Sequence, residues 1–315
     1  MAGGQGTRLG CDGPKGKYYL NVNPEPKSLY EITVDSLKRA NSIYNVVIPW
    51  YIMTSKENHH DTVTFFEENQ YFGYPKESIR FFMQGELPLI NKEGKLLIGK
   101  DSKIKEAADG NAGVYASMLN NGIIKDMKQK GVEWLFIGAI DNVLLKMIDP
   151  ILLGVTVCNN HLIGAKSLVK ANPEERVGVF CKNNGRVKVI EYTELPKEMA
   201  YLRDENGELA YGESHVMCNL FSMKALDIIC NQNLPYHTAC KKSEYIDQEG
   251  RLVVPDEPNA YKFEKFIFDA FELFSDISIL RVKREEEFAP VKNKEGVDSP
   301  QTAIKLYNDY WEKNK

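Results

Sequence analysis

The chain has 315 residues, 43 % apolar and 27 % charged, with a formal net charge of -4 at pH 7, enough to bury a large core in one domain or one and a half. That balance excludes general affinity for nucleic acid or an anionic membrane, and no apolar run approaches the roughly 20 residues that cross a bilayer. Six scattered cysteines without a C-x-x-C pair, and no signal segment at the start, read as free thiols in a reducing, cytoplasmic setting. In chain order the first feature is a loop, Met1-Ala-Gly-Gly-Gln-Gly-Thr-Arg-Leu-Gly10-Cys-Asp-Gly-Pro14-Lys15-Gly-Lys17. Its glycines let backbone N–H groups approach an anion, and Arg8, Lys15 and Lys17 add positive charge. Such a loop suits a polyphosphate. Neither common phosphate loop fits it, however. The dinucleotide pattern fails because Gly10 falls one place late and only Met1 and Ala2 precede the loop. The G-K pattern at Gly16-Lys17 fails because Cys11 and Tyr18 stand at its required positions.

Beyond the loop, Ser28 caps a helix to Ser42 with Leu29, Ile32, Val34, Leu37 and Ala40 inward. The run 46–53 reads as a strand covered on both faces. Thr54 or Ser55 opens a helix through Asn69, Ile79–Met83 forms a second strand, and 91–101 is a polar excursion. Asp109-Gly-Asn-Ala-Gly113 leads into one helix to Lys130, and 133–140 is the most apolar strand, ending on Asp141-Asn142. Strands alternating with helices predict an α/β fold with a mixed, mostly parallel sheet, its ligands beyond the strands' carboxyl ends. Gly4, Gln84, Gly110 and Asp141 would all lie there. After a helix over 149–160 the pattern changes. Strands over 162–170, 177–181 and 186–192, the last two around the turn Asn183-Asn-Gly185, predict an antiparallel insertion on the sheet edge. A strand over 214–220, helices over 222–231 and 264–274, a strand over 277–282 and an amphipathic helix from Ser299 to Lys315 complete the chain. The charge run Lys283–Glu287 reads as solvated surface, and five histidines without metal-ligand spacing argue against zinc.

The run Ala2–Gly10 followed by Pro14-Lys15-Gly16 resembles the nucleotide-binding signature A-G-G-Q-G-T-R-L-G…P-K-G of the UDP-N-acetylglucosamine pyrophosphorylase family, one of the eukaryotic-type UTP:sugar-1-phosphate uridylyltransferases. The resemblance runs from Met1 to about Ile304. It implies a Rossmann-like nucleotidyltransferase with an antiparallel sugar-binding insertion, residues 1–148 forming the nucleotide half and 149–315 the sugar half of one catalytic domain. The implied reaction joins UTP to N-acetylglucosamine-1-phosphate with loss of pyrophosphate, assisted by Mg²⁺. Such a transfer needs in-line positioning and neutralised phosphates more than acid–base catalysis.

Roles follow residue by residue. Arg8 and Lys15 match the basic pair on the triphosphate, and Gly3 and Gly4 match backbone donors near the base and phosphates. Gln84 matches the residue that reads the uracil edge, where its amide gives and takes a hydrogen bond at once. In Asp109–Gly113 the backbone of Gly110 meets the base and Asn111 the sugar, although Ala112 replaces the family's usual glycine. Asp141 matches the metal-holding carboxylate, with a helix-capping aspartate as the plain alternative. Gly178, Glu191, Tyr192 and Asn219 match the sugar contacts, and Leu220 stands where the family often has histidine. Phe266 and Phe268 match an aromatic pair around the acetyl group, yet i and i+2 do not share a helical face, so two core side chains are the competing reading. Lys292 matches the lysine that binds the sugar phosphate. The same resemblance implies an apolar strand ahead of the loop and a small C-terminal β domain after the last helix. Their absence from the sequence reads as truncation of a longer protein. Glucose-1-phosphate or broader sugar use, and an impaired nucleotide-binding relative, are the alternatives.

Overall fold

In the computed structural model, which describes residues 1–314, the elements that carry function are helix α1 (Leu29–Tyr44), strand β1 (Trp50–Thr54), α2 (His59–Glu68), β2 (Ile79–Met83), α3 (Gly113–Asn120), α4 (Ile123–Gln129), β3 (Trp134–Gly138) and α5 (Pro150–Cys158). There follow β4 (Ile163–Val169), the hairpin β5 (Val179–Asn183) and β6 (Arg186–Ile190), β7 (Glu213–Ser222), α6 (Met223–Ile229), β8 (His237–Lys241), β9 (Ala260–Glu264), β10 (Ser278–Arg281) and α7 (Pro300–Lys313). Short strand pairs and 3-10 turns fill the connections.

Local chemistry explains the well-formed helices. Ser28 caps α1 by accepting from the Glu31 N–H at 3.1 Å, and Leu29, Ile32, Val34, Leu37 and Ala40 are all buried. Asp149 caps α5, accepting from the N–H groups of Ile151 and Leu152, with Pro150 in the first turn. Ser299 and Thr302 cap α7. Elsewhere the periodicity overreached. Asn45 ends α1 in the left-handed conformation, Val46 and Val47 are exposed, and the strand begins only at Trp50. A turn closed by Ser55 and Asn58 delays α2 to His59. The helix expected through Lys130 is two helices, broken where Gly122 takes a positive φ of 69°, yet Val114, Met118, Ile123 and Met127 are all buried. The helix expected over 264–274 is the end of β9 followed by a 3-10 helix, Ile267–Leu273.

The sheet is mixed. β7 runs antiparallel to both β3 and β4, so those two point the same way, and β10 pairs parallel with β4. β1 and β2 pair parallel. Residues 1 and 2 join the two parts. The Met1 amine donates to Gly138 O at 2.6 Å, Ile140 N donates to Met1 O, and Ala2 N donates to Met53 O at 2.7 Å. The carboxyl ends of β1 and β3 therefore meet at the first residues of the glycine loop. β3, β4 and β10 share one direction and β7 opposes them, while the β5–β6 hairpin lies on the edge, attached through Val179 and Ser214. Its turn, with positive φ at both Asn184 and Gly185, has the sense that suits twisted strands. No helix among the described residues is long and apolar enough to cross a membrane.

A charged cluster ties the sheet to the segment after β10. The Lys166 ammonium, fully buried on β4, meets Asp149 Oδ2 at 2.7 Å and Glu287 Oε2, and donates to Lys146 O. Three acceptors match its three protons. Glu287 is thus not part of a solvated run; it is 5 % exposed and anchors the chain just ahead of Phe288–Lys292. Lys166→Met leaves two buried carboxylates facing each other, so we expect a loss of about 3–5 kcal/mol in a urea unfolding experiment. Adding Glu287→Gln should restore part of it.

Candidate active site

The glycine loop folds on itself at the carboxyl edge of the sheet. Gly6 N donates to Gly13 O, Lys15 N donates to Gly4 O, and Gln5 pairs with Pro14 across a single bridge. Two short 3-10 turns, Thr7–Leu9 and Lys15–Lys17, carry the basic side chains. The fold of the loop sends Lys15 across to the tip of β3, where its Nζ lies 3.0 Å from Asp141 Oδ2. Both side chains are mostly buried but keep some contact with solvent. Arg8 is exposed and makes no ion pair among the described residues.

On the opposite flank, β2 ends at Gln84, whose N–H donates to Thr54 O at 2.7 Å. Its amide nitrogen donates to Asp109 Oδ1 at 3.1 Å and to Gly110 O at 2.6 Å, which leaves the amide oxygen directed at Gly3. A Cβ on Gly3 would stand 2.9 Å from that oxygen, so only glycine lets the loop pass so close. Gly110 is the second place where glycine is required. Its φ is 89°, and an added Cβ would lie 2.3 Å from Lys265 O. Burial pushes the Asp109 carboxyl above its usual value, against the Gln84 hydrogen bond.

The Asp109–Gly113 loop also joins Gln84 to the segment that carries Phe266 and Phe268. Lys265 N donates to Asp109 O, Ala112 N donates to Lys265 O, and Ile267 N donates to Asn111 Oδ1 at 2.6 Å. Phe266 is extended rather than helical, which brings its ring to 5.2 Å from that of Phe268. The objection from helical spacing therefore does not apply. Phe268 is buried and Phe266 partly exposed.

Asn219 lies in the middle of β7, buried, opposite Ile137 and Ala165. Its Oδ1 is 2.8 Å from His215 Nε2. Burial drives the His215 pKa down to about 4, the Asn219 bond resisting, so the ring is neutral and occupies the Asn219 oxygen. The Asn219 amide nitrogen donates to Met217 Sδ at 3.6 Å, which leaves one amide proton uncommitted. Leu220, one residue on, points to the opposite face of the sheet and cannot bear on what Asn219 binds. Glu191 packs over Gly178, with burial and then Glu194 raising its pKa. Tyr192 is exposed.

Lys292 arrives through a second stitch. Asn142 accepts from Ala289 N and donates to Glu287 O, and Val291 N donates to Asp141 O at 2.8 Å. Lys292 Nζ itself lies 3.5 Å from Asp298 and close enough to Glu191 to lower that carboxyl's pKa. Asn142 and His215 were not singled out by sequence reasoning. Asn142 follows the marked aspartate, a weak pointer, whereas His215 offers no signal because its partner is a side chain inside the fold. No group of three metal-binding side chains forms among the described residues. A cavity of about 640 Å³ lies elsewhere, between α1, residues 142–151 and Trp311 of α7.

Gly110→Ala should cost about 2–3 kcal/mol through positive-φ strain and overpacking against Lys265. An unchanged urea midpoint would show that the Asp109–Gly113 loop yields instead.

The family described as UTP–glucose-1-phosphate uridylyltransferase matches residues 1–304. Among curated proteins, the Homo sapiens UDP-N-acetylhexosamine pyrophosphorylase-like protein 1 is 38 % identical over 96 % of this chain and 62 % of its own length. The Saccharomyces cerevisiae UDP-N-acetylglucosamine pyrophosphorylase is 37 % identical over 98 % of this chain and 67 % of its own. The chain thus spans about three-fifths of the first of these relatives. A Trypanosoma brucei UDP-N-acetylglucosamine pyrophosphorylase, solved with an inhibitor, superposes at a TM-score of 0.85 with 30 % identity, covering 97 % of this chain and 63 % of that one. A Trypanosoma brucei UDP-glucose phosphorylase shares the fold alone, with a TM-score of 0.73 and 18 % identity over 92 % of this chain and 61 % of that one.

Proposed function

The chain belongs to the UTP–glucose-1-phosphate uridylyltransferase family, and from that membership we propose that it forms UDP-N-acetylglucosamine and pyrophosphate from UTP and N-acetylglucosamine-1-phosphate. The observation that carries the reading is the 3.0 Å contact between Lys15 of the glycine loop and Asp141 of the sheet edge. It puts a cation and an anion, each able to neutralise or anchor phosphate chemistry, at the foot of the cleft that Gln84 and Gly110 close from the other side.

In the reaction, a phosphate oxygen of the sugar phosphate attacks the α-phosphorus of UTP. The new P–O bond forms as the bond to the β-phosphate oxygen breaks, and pyrophosphate leaves with that electron pair. No proton needs to move. Arg8, free of an ion pair, and Lys15 would take up the charge that spreads over the triphosphate in the transition state. Lys292 would hold the incoming sugar phosphate, with Glu191 and Asn219 offering a carboxylate and one amide proton to the sugar. Gln84 uses its amide protons on Asp109 and Gly110, so its remaining oxygen would accept from the uracil N–H.

The donor set at Asp141 suits Mg²⁺, which is commonly held by one or two carboxylates together with phosphate oxygens and water. The carboxylate already balances a positive charge on Lys15. Bound there, the ion would neutralise phosphate charge and orient the triphosphate. Six unpaired cysteines support a reducing, cytoplasmic compartment.

Pyrophosphate release with UTP, Mg²⁺ and either N-acetylglucosamine-1-phosphate or glucose-1-phosphate tests the reading. Release only with the glucose compound would reassign the sugar, and none with any sugar phosphate would overturn the enzyme. Arg8→Ala and Lys15→Ala should each lower kcat by about 10²–10³-fold while changing uridine-nucleotide affinity far less. Effects confined to affinity would remove their transition-state role. Asp141→Ala should abolish metal-dependent turnover, and an unchanged Mg²⁺ titration of activity would place the ion elsewhere.

A further inference from the structure

One side chain ties together the two walls of the sugar pocket. His237, the first residue of β8, stands between the turn after β6 and the aromatic pair. Its Nδ1 lies 2.7 Å from Glu194 Oε1, and its Nε2 lies 3.0 Å from Asp269 Oδ2. Its ring packs against Phe266 at a centroid distance of 4.5 Å, and Phe266 in turn packs against Phe268. Each carboxylate is fixed to its own wall. The N–H groups of Glu194 and Leu195 donate to Glu191 O, which makes Glu191–Glu194 one tight turn. Asp269 Oδ2 also accepts from Phe266 N at 3.0 Å, so it fixes Phe266 to the start of the 3-10 helix that bears Phe268.

Carboxylate oxygens only accept hydrogen bonds, and a neutral imidazole has a single N–H. A neutral His237 could therefore satisfy one carboxylate while turning a lone pair toward the other. The imidazolium satisfies both. The site is shielded enough for this to matter, with Asp269 only 7 % and His237 20 % exposed, against 42 % for Glu194.

We propose that His237, as the imidazolium, is a positioning residue that clamps the Glu191–Glu194 turn to the Phe266–Phe268 pair and so sets affinity for the sugar-1-phosphate. This rests on the sugar half of the function proposed above. His237 bonds to Glu194 and Asp269 rather than to Arg8, Lys15 or Lys292. Its effect falls on the sugar's KM rather than on the chemical step or on UTP.

The surrounding charges agree with the cationic form. Glu194 and Glu191 face it from the turn, Asp269 from the 3-10 helix, and Glu264 from the opposite register position on β9, where Lys262 already pairs with it at 2.7 Å. Lys188 of β6 sits behind Asp269 and pairs with Glu272. Burial alone would lower the His237 pKa, but Glu194 and Asp269 outweigh it and hold the pKa above the ordinary 6.5. The clamp is complete below that ordinary value and is lost as pH rises through the elevated one. KM for the sugar phosphate should accordingly rise with pH while KM for UTP does not follow.

Two measurements on the whole chain decide the matter. In a histidine-ring NMR titration, assigned with His237→Gln, the His237 midpoint should exceed 6.5 and fall in Glu194→Gln, a change on an exposed turn that leaves folding intact. A midpoint at or below 6.5, or no response to Glu194→Gln, overturns the clamp whether or not the chain turns over. In pyrophosphate-release kinetics from about pH 6 to about pH 9, His237→Gln should raise KM for N-acetylglucosamine-1-phosphate about tenfold, hold kcat and KM for UTP within about twofold, and flatten the pH dependence. Equal changes in both KM values, or an unaltered pH profile, overturn it. A wild-type chain that releases no pyrophosphate counts against the proposed reaction instead, and the NMR midpoint then decides the clamp alone.

Discussion

The geometry of the cleft depends on a contact between two residues 126 positions apart in the chain, Lys15 and Asp141. A lysine on a glycine loop has too many conformations to hold a site by itself. The loop is restrained by its own backbone bonds, and the first two residues are stitched to the ends of β1 and β3. The carboxylate stands on the residue that follows that stitch. The ion pair is the point where a flexible loop becomes part of the sheet edge, and it sets where positive charge can meet a phosphate. Asn142 and the Lys166 cluster extend the same logic, since they hold the segment that delivers Lys292 to Asp141.

From there the contacts close into a ring. Gly3 passes against Gln84, Gln84 holds Gly110, and Asn111 holds Ile267 beside the aromatic pair. Phe266 leans on His237, His237 reaches Glu194, and the turn returns through Glu191 to Lys292, next to Val291, whose N–H donates to Asp141 O. Every step of that circuit is a hydrogen bond, a close packing contact or a charge in range. A cleft built as a ring resists distortion at any one point, because each wall is held from two sides. The same arrangement explains the buried histidine, His215, which is kept neutral by its apolar and aromatic surroundings and spends its proton on Asn219. The two histidines stand at the two ends of one run of aromatic rings, and burial lowers the pKa of His215 while paired carboxylates raise that of His237.

Much of this was legible in the sequence, and the misses have physical causes. Apolar patterning located α1, α5 and α7, with Ser28 legible as a cap; Asp149 and Ser299, which the structure adds as caps, likewise do their work within three residues of themselves. Periodicity could not see Gly122 splitting one helix into two, or Asn45 delaying β1, since a single positive-φ residue leaves the apolar pattern almost intact. It also read Lys283–Glu287 as surface. A run of like residues looks solvated until a partner such as Lys166, more than a hundred residues away, takes one member into the core.

The residues of the proposed site fall on short, specific motifs, so their identity belongs to the sequence: the glycine loop, Gln84, the Asp109–Gly113 turn, Asp141 and Lys292. Their mutual placement belongs to the tertiary structure alone. The sense in which β7 opposes its neighbours, the extended backbone at Phe266 and the bridging of Glu194 to Asp269 by His237 rest on contacts between distant segments. Local propensity carries no record of such contacts, because each is paid for only when the whole sheet has closed.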